Sequence, residues 1–182
     1  TRRSSDLDGS LEAPVSLDGE NGRLYVLEQD AGRVSVFDTT GTLIRRFGAA
    51  GAGLLNEPRV VDCHGGLVYV GELDGILVVY DTAATFIKTI QFKGADLRDM
   101  VVVDNTQFWF TDETGRDLHR ADSTGSVLQS FPLAHASQIC HGFGRVCVSD
   151  NYGGIVQVYD LDGSGPAAIS LACRPEAACP AP

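Results

Sequence analysis

The chain has 182 residues, of which 43% are hydrophobic and 21% charged, a balance that supports one sizeable folded core and excludes a disordered chain. Its formal net charge of −10, from 24 acidic and 14 basic residues, excludes a nucleic-acid backbone binder, which needs clustered Lys and Arg. No apolar run is long enough for a membrane-spanning helix, so a membrane is not an expected partner either.

Residues 1–12 read as an N-terminal extension. The opening TRRSSDLDGS has no apolar segment of the secretory kind. It also lacks Met, so the true start is read as removed or upstream. From there the chain writes one phrase four times: an aromatic-apolar strand, an acid, a Gly-bearing turn, then a second strand closed by Asp. The copies are 22–38 (GRLYVLEQDAGRVSVFD), 66–81 (GLVYVGELDGILVVYD), 106–122 (TQFWFTDETGRDLHRAD) and 144–160 (GRVCVSDNYGGIVQVYD). The closing Asp38, Asp81, Asp122 and Asp160 lie roughly 40 residues apart, a period of propellers, solenoids and arrays.

Each repeat divides into four short strands. The first predicts strands over 14–18, 23–28, 33–38 and 43–48. The second predicts 58–62, 67–72, 76–81 and 86–92. The third predicts 99–104, 107–112, 117–122 and 126–131, and the fourth 138–141, 145–150, 156–160 and 167–171. The second strand of the first repeat alternates poorly and reads as buried on both faces. The third alternates, with Val34 and Val36 one way and Ser35 and Phe37 the other. Gly41, Gly125 and Gly163 turn the chain after the third strand, and Gly65 with Gly66 turn it after the first. No segment has helical periodicity with caps. The expected class is all-β, built of four-stranded antiparallel units that bury both faces by stacking radially, as in a β-propeller. The units span about 13–48, 58–92, 97–133 and 137–171, and 172–182 is a Pro/Ala-rich tail.

The stretch 47–61 (FGAAGAGLLNEPRVV), with 33–38 before it and 67–72 after it, resembles the NHL repeat. Tyr25, Val26, Glu28, Arg33, Val34, Val36, Phe37, Asp38, Phe47, Gly48, Gly51, Gly53 and Pro58 fit that pattern. The resemblance runs from about 13 to 171 and weakens along the chain. Arg120–Ala121 stands at an apolar-aromatic place, Cys147 at an aromatic place and Ile155 at an Arg place. It implies a propeller of usually six blades. About four NHL-like blades then form part of a six-bladed propeller or a four-bladed ring, and two chains completing each other is a third arrangement.

The acids Glu28, Glu72, Asp112 and Asp150 recur after the second strand, joined in the turns by Asp30, Asp74 and Glu113. One reading is an acidic rim for a Ca²⁺-like cation or a basic peptide. The other is that each acid accepts hydrogen bonds from its own turn and sets it. Regular repetition favours the second. Cys63–His64 and Cys140–His141 recur two repeats apart, and in a closed four-bladed ring they could make a tetrahedral zinc site. Otherwise they are a buried thiol and a solvated His. The remaining cysteines are Cys147, expected to oppose Cys140 across a hairpin, and Cys173 and Cys179 in the tail. No CxxC pair and no Ser nucleophile motif is present, so no catalytic residue is assigned and no cofactor is required.

The expected function is a non-catalytic scaffold that binds a protein or peptide through the loops of one face. The binding residues expected there are Asp30, Arg33, Asn56, Glu57, Asp74, Arg98, Asp112, Arg116, His135, Asp150, Asn151 and Tyr152. Self-association through exposed blade edges is a further expected contact. The resemblance implies an alternative, a metal-dependent lyase or hydrolase acting near the axis, for which His64, His135 and His141 are the candidates.

Overall fold

A computed structural model describes residues 10–170. The expected extension and tail lie largely outside that range, as do Cys173 and Cys179. The chain is all-β, with sixteen strands in four antiparallel sheets and no helix among the described residues. The first blade is β1 (Pro14–Glu20), β2 (Arg23–Glu28), β3 (Arg33–Asp38) and β4 (Leu43–Phe47). The second is β5 (Pro58–His64), β6 (Leu67–Glu72), β7 (Ile76–Asp81) and β8 (Phe86–Gln91). The third is β9 (Leu97–Asp104), β10 (Gln107–Asp112), β11 (Leu118–Asp122) and β12 (Val127–Phe131). The fourth is β13 (Ala136–Gly142), β14 (Arg145–Asp150), β15 (Ile155–Asp160) and β16 (Ala167–Ser170). Each sheet is a simple meander in chain order. These are the blades of a β-propeller, with β1, β5, β9 and β13 as the innermost strands. The second strand of every blade matches its predicted span, and differences elsewhere are of one or two residues at strand ends.

The turn after the third strand shows why the closing Asp recurs. Asp38 Oδ1 accepts from the amides of Thr40 and Thr42, each at 2.9 Å. Asp81 does the same with Ala83 and Thr85, and Asp122 with Thr124 and Ser126. In the fourth blade Asp162 takes over, accepting from the Ser164 amide, while Asp160 pairs with Arg145. These hydrogen bonds hold Asp38, Asp81 and Asp122 below the usual carboxylate range. A short Asp side chain closing its own turn is the local physics of such loops.

Blades are held together by three apolar cores, one between each consecutive pair. Tyr25, Leu27 and Val34 of the first blade pack on Val61, Val68 and Val78 of the second. Tyr69, Leu77 and Val79 pack on Met100, Phe108 and Phe110 of the third. Trp109 and Leu118 pack on Val146, Val148 and Tyr159 of the fourth, with Trp109 also stacked on Phe131 at 5.4 Å. The second strands of the two middle blades, β6 and β10, sit between two cores, whereas β2 and β14 each border one. Among the described residues no corresponding core joins the fourth blade to the first.

Polar ties repeat beside each core. Asp18 accepts from the Cys63 amide at 2.7 Å, Asp62 from the Val102 amide at 2.5 Å, and Asp99 from the Ile139 amide at 3.0 Å. Each tie links one innermost strand to the next. The turn before the third strand also fixes backbone conformation. Gly75 has φ +77, and a Cβ there would stand 2.5 Å from the Phe92 carbonyl oxygen, so only glycine fits.

Candidate functional site

The four repeated acids are buried, and each is aimed at the same place in its blade. Glu28 accepts from the Glu12 amide at 2.6 Å, and Glu72 from the Asn56 amide. Asp112 accepts from the Asp96 amide at 3.2 Å, and Asp150 from the Ala134 amide at 2.9 Å. In all four the separation is 16 residues. The carboxylate at the end of the second strand therefore pins the loop that enters its own blade.

Asp112 and Asp150 also close their own turns, through the Gly115 and Gly153 amides. Glu28 instead receives Arg33 through both Nε and Nη2 at 2.9 Å, and Ser35 Oγ at 2.5 Å. Burial alone would raise Glu28, but the hydrogen bonds from Arg33, Ser35 and the Glu12 amide outweigh it and bring the group to about 2. For Asp150, burial is likewise outweighed by the Gly153, Ala134 and His135 amides, and the group is lowered. Among the described residues no cation lies beside Glu72, and burial raises it. Of the residues expected to bind a partner, Arg33, Asp112 and Asp150 are thus already engaged within the chain.

The others gather in three places on the loop face. Asp30, Asn56, Glu57 and Asp74 line one recess of about 550 Å³ between the first and second blades. Arg98 pairs with Glu113 at 3.0 Å on the third. Between the third and fourth blades, Arg116, His135, Asn151 and Tyr152 form one cluster. The His135 and Tyr152 rings meet edge to face at 4.7 Å, and the Arg116 guanidinium lies 5.8 Å from the Tyr152 ring centroid. Backbone bonds fix the arrangement: the Asn151 amide donates to the His135 carbonyl at 3.1 Å, and the Ala136 amide to the Arg116 carbonyl at 2.9 Å. Tyr152 itself is 71% exposed.

Sequence reasoning placed its alternative site near the axis but missed the acids there. The four innermost strands line an axial cavity of about 1060 Å³ that includes Asp18, Asp62, Asp99, Arg59 and Arg98. The Cys63 amide donates to Asp18 at 2.7 Å and to Asp62 at 2.8 Å. The two carboxylates are therefore held side by side on one amide. Burial, then the neighbouring Asp18, raises Asp62 far above the ordinary Asp range. The signal available in sequence was an acid within an otherwise apolar innermost strand, at VSLDG and RVVDC.

Cys63, His64, Cys140 and His141 all line this cavity. No group of three or more His, Cys, Asp or Glu is placed to hold a metal ion among the described residues. Burial, then Asp18 and Asp62, pushes the Cys63 thiol up, the opposite of an activated thiolate. Cys140 and Cys147 face each other across the β13–β14 hairpin as free thiols.

Two substitutions test these assignments. Glu28→Ala leaves Arg33, Ser35 and the Glu12 amide without their acceptor. The expected loss is near the lower end of about 3–5 kcal/mol, because Arg33 keeps some contact with water. The group is depressed in the folded state, so the loss measured by urea unfolding is full at neutral pH and fades as pH falls toward about 2. Asp62→Asn keeps an oxygen acceptor for the Val102 amide and removes the ionisation. A carboxyl raised in the folded state loses stability as pH rises above about 4, where the unfolded group ionises first. Asp62→Asn is therefore expected to raise Tm more at pH 8 than at pH 5; an equal shift at both would contradict a raised Asp62 carboxyl.

No protein-family model matches the chain, and no curated protein matches it significantly. Solved structures do. Virginiamycin B lyase from Staphylococcus aureus superposes with a TM-score of 0.70 at 13% identity, over 90% of this chain and 57% of the lyase. A catalytically inactive variant of that lyase, with quinupristin, gives 0.69 at 13% identity over the same shares. U3-55K gives 0.69 at 9% identity, over 86% of this chain and 51% of its own. The chain spans little more than half the length of each. At these identities the likeness establishes the propeller fold, shared by a lyase and by U3-55K, and fold does not carry function.

Proposed function

We propose that the chain is a non-catalytic propeller module that binds a protein or peptide segment through its loop face. The carrying observation is Tyr152, an exposed aromatic that meets the His135 ring edge to face and has the Arg116 guanidinium 5.8 Å from its ring centroid. Tyr and Arg dominate binding hot spots, because they offer large contact area and charge at small entropic cost. The repeated acids are occupied in holding loops, which leaves Tyr152, Arg116 and His135 as the groups on this face free to meet a partner. Asp30, Glu57 and Asp74, in the neighbouring recess, suit a basic residue of the same segment. Binding groups on loops above a rigid scaffold are the usual arrangement.

The axial cavity favours a second reading, a lyase or hydrolase acting on a small substrate near the axis. Asp62, raised by burial, would then hold or release a proton at its wall, beside Asp18. The resemblance in fold to a lyase is consistent with this reading and does not assign it.

One experiment separates the two. A displayed random-peptide library is selected on the purified full chain, and affinities of the enriched peptides are measured by calorimetry. Tyr152→Ala and Arg116→Ala are each expected to weaken binding by about tenfold or more, near 1.4 kcal/mol, with Tm unchanged and with Asp18→Asn neutral. Undiminished binding in both loop variants overturns the loop-face reading. Loss confined to Asp18→Asn supports the axial one.

A further inference from the structure

The turn between the second and third strands takes a residue at positive φ just before the third strand in every blade, and three blades place glycine there. Gly32, Gly75 and Gly154 have φ of +56, +77 and +63. The third blade has Arg116 at the same place, with φ +62. The hydrogen bonds show the equivalence: the Arg116 amide donates to the Asp112 carbonyl at 3.0 Å, as the Gly154 amide does to the Asp150 carbonyl at 2.9 Å. Left-handed backbone strains any residue that carries a Cβ and leaves glycine unstrained. An arginine standing where the other copies of the repeat have glycine points to a use for its side chain.

That use is not internal. Arg33 and Arg46 face Glu28, Arg98 pairs with Glu113, and Arg145 pairs with Asp160. Among the described residues the Arg116 guanidinium has neither an ion pair nor a hydrogen bond. It is exposed and lies 5.8 Å from the Tyr152 ring centroid. The acids of the same corner are turned to other groups. Asp150 accepts from the amides of Ala134, His135 and Gly153 at 2.9, 3.1 and 2.8 Å. Asp112 accepts from the Asp96 and Gly115 amides, Glu113 meets Arg98 at 3.0 Å, and Asp117 lies within electrostatic reach of His119. The corner presents a guanidinium with no carboxylate of the described chain upon it.

We infer that the segment bound at this corner carries a carboxylate, and that Arg116 is the residue that selects for it. This rests on the loop-face reading above and adds the chemistry of the partner, an acidic peptide whose carboxylate belongs to an Asp or Glu side chain or to its chain end. A guanidinium offers two parallel N–H groups that match the two oxygens of a carboxylate, and it can do so while remaining beside the Tyr152 ring. The other three blades have glycine at this place and offer no equivalent donor, so the selection is confined to the corner between the third and fourth blades. The formal net charge of −10 does not oppose such a contact at close range, because physiological salt screens charges beyond about 8 Å.

The test uses a peptide library displayed with free chain ends and selected on the purified full chain. One enriched peptide is synthesised in its parent form, with each acidic residue replaced by its amide, and with its chain end amidated. Neutralising one carboxylate is expected to weaken binding to the wild type by about tenfold or more and to leave binding to Arg116→Gly unchanged; which peptide loses affinity tells a side-chain carboxylate from a chain end. Arg116→Gly is expected to bind the parent peptide as weakly as the wild type binds the neutralised one, with a Tm equal to or above wild type, because glycine relieves the backbone. Arg116→Lys, which keeps the charge without the fork, is expected to recover only part of the affinity. Neutralised peptides that all bind the wild type as tightly as the parent, while Tyr152→Ala still weakens binding, overturn the carboxylate and leave the loop-face reading standing. A clear fall in Tm for Arg116→Gly also overturns it, since Arg116 would then be holding its own turn. Undiminished binding in both Tyr152→Ala and Arg116→Gly overturns the loop-face reading as well.

Discussion

Each blade depends on one buried carboxylate. Glu28, Glu72, Asp112 and Asp150 sit at the ends of the second strands, inside the sheet, and accept an amide from the loop entering the same blade. The loop must leave the outer edge of one sheet and return to the axis. Along that path its backbone amides have no ladder to join. A buried amide without an acceptor is costly, and so is a buried carboxylate without donors. Each satisfies the other. The blades differ in what else the carboxylate receives: Arg33 and Ser35 on Glu28, the turn glycines on Asp112 and Asp150, and, among the described residues, no cation on Glu72. That difference sets the direction in which Glu28, Glu72 and Asp150 titrate.

The loop latch and the innermost-strand ties divide the work. The latch fixes a loop within a blade, while Asp18, Asp62 and Asp99 tie one blade to the next. Aromatic and β-branched side chains fill the space between sheets, with Trp109 against Phe131 and Tyr159 in the last of the three cores. The axial cavity follows from this construction. Its wall is made of the strands that carry the ties, so its acids are first of all structural groups, and Asp62 is raised by its burial and by the neighbouring Asp18.

The fold was legible because its information is local and repeated. Asp-bearing turns, Gly at positive φ and doubly apolar second strands each report on a few neighbouring residues, and four copies average out the exceptions. The strand ends were less legible. β5 and β13 run past their predicted limits because their outer residues pair with the next strand through the tight turn. The candidate site was legible in part. The notion that the repeated acids set their own turns holds for Asp112 and Asp150, but the bond common to all four reaches 16 residues back, which local spacing does not announce. The cluster of Arg116, His135 and Tyr152 joins two blades, and the pair of Asp18 and Asp62 joins two others. Neither is visible until the sheets are stacked.

Amide hydrogen exchange by NMR tests the latch most directly. The amides of Glu12, Asn56, Asp96 and Ala134 lie in loops, where exchange is ordinarily fast. The account expects all four to be protected to the level of the strand amides in their own blades, and the Glu12 amide to lose that protection in acid, as Glu28 takes up its proton. Exchange of these four amides at the rate of the neighbouring loop residues would contradict it.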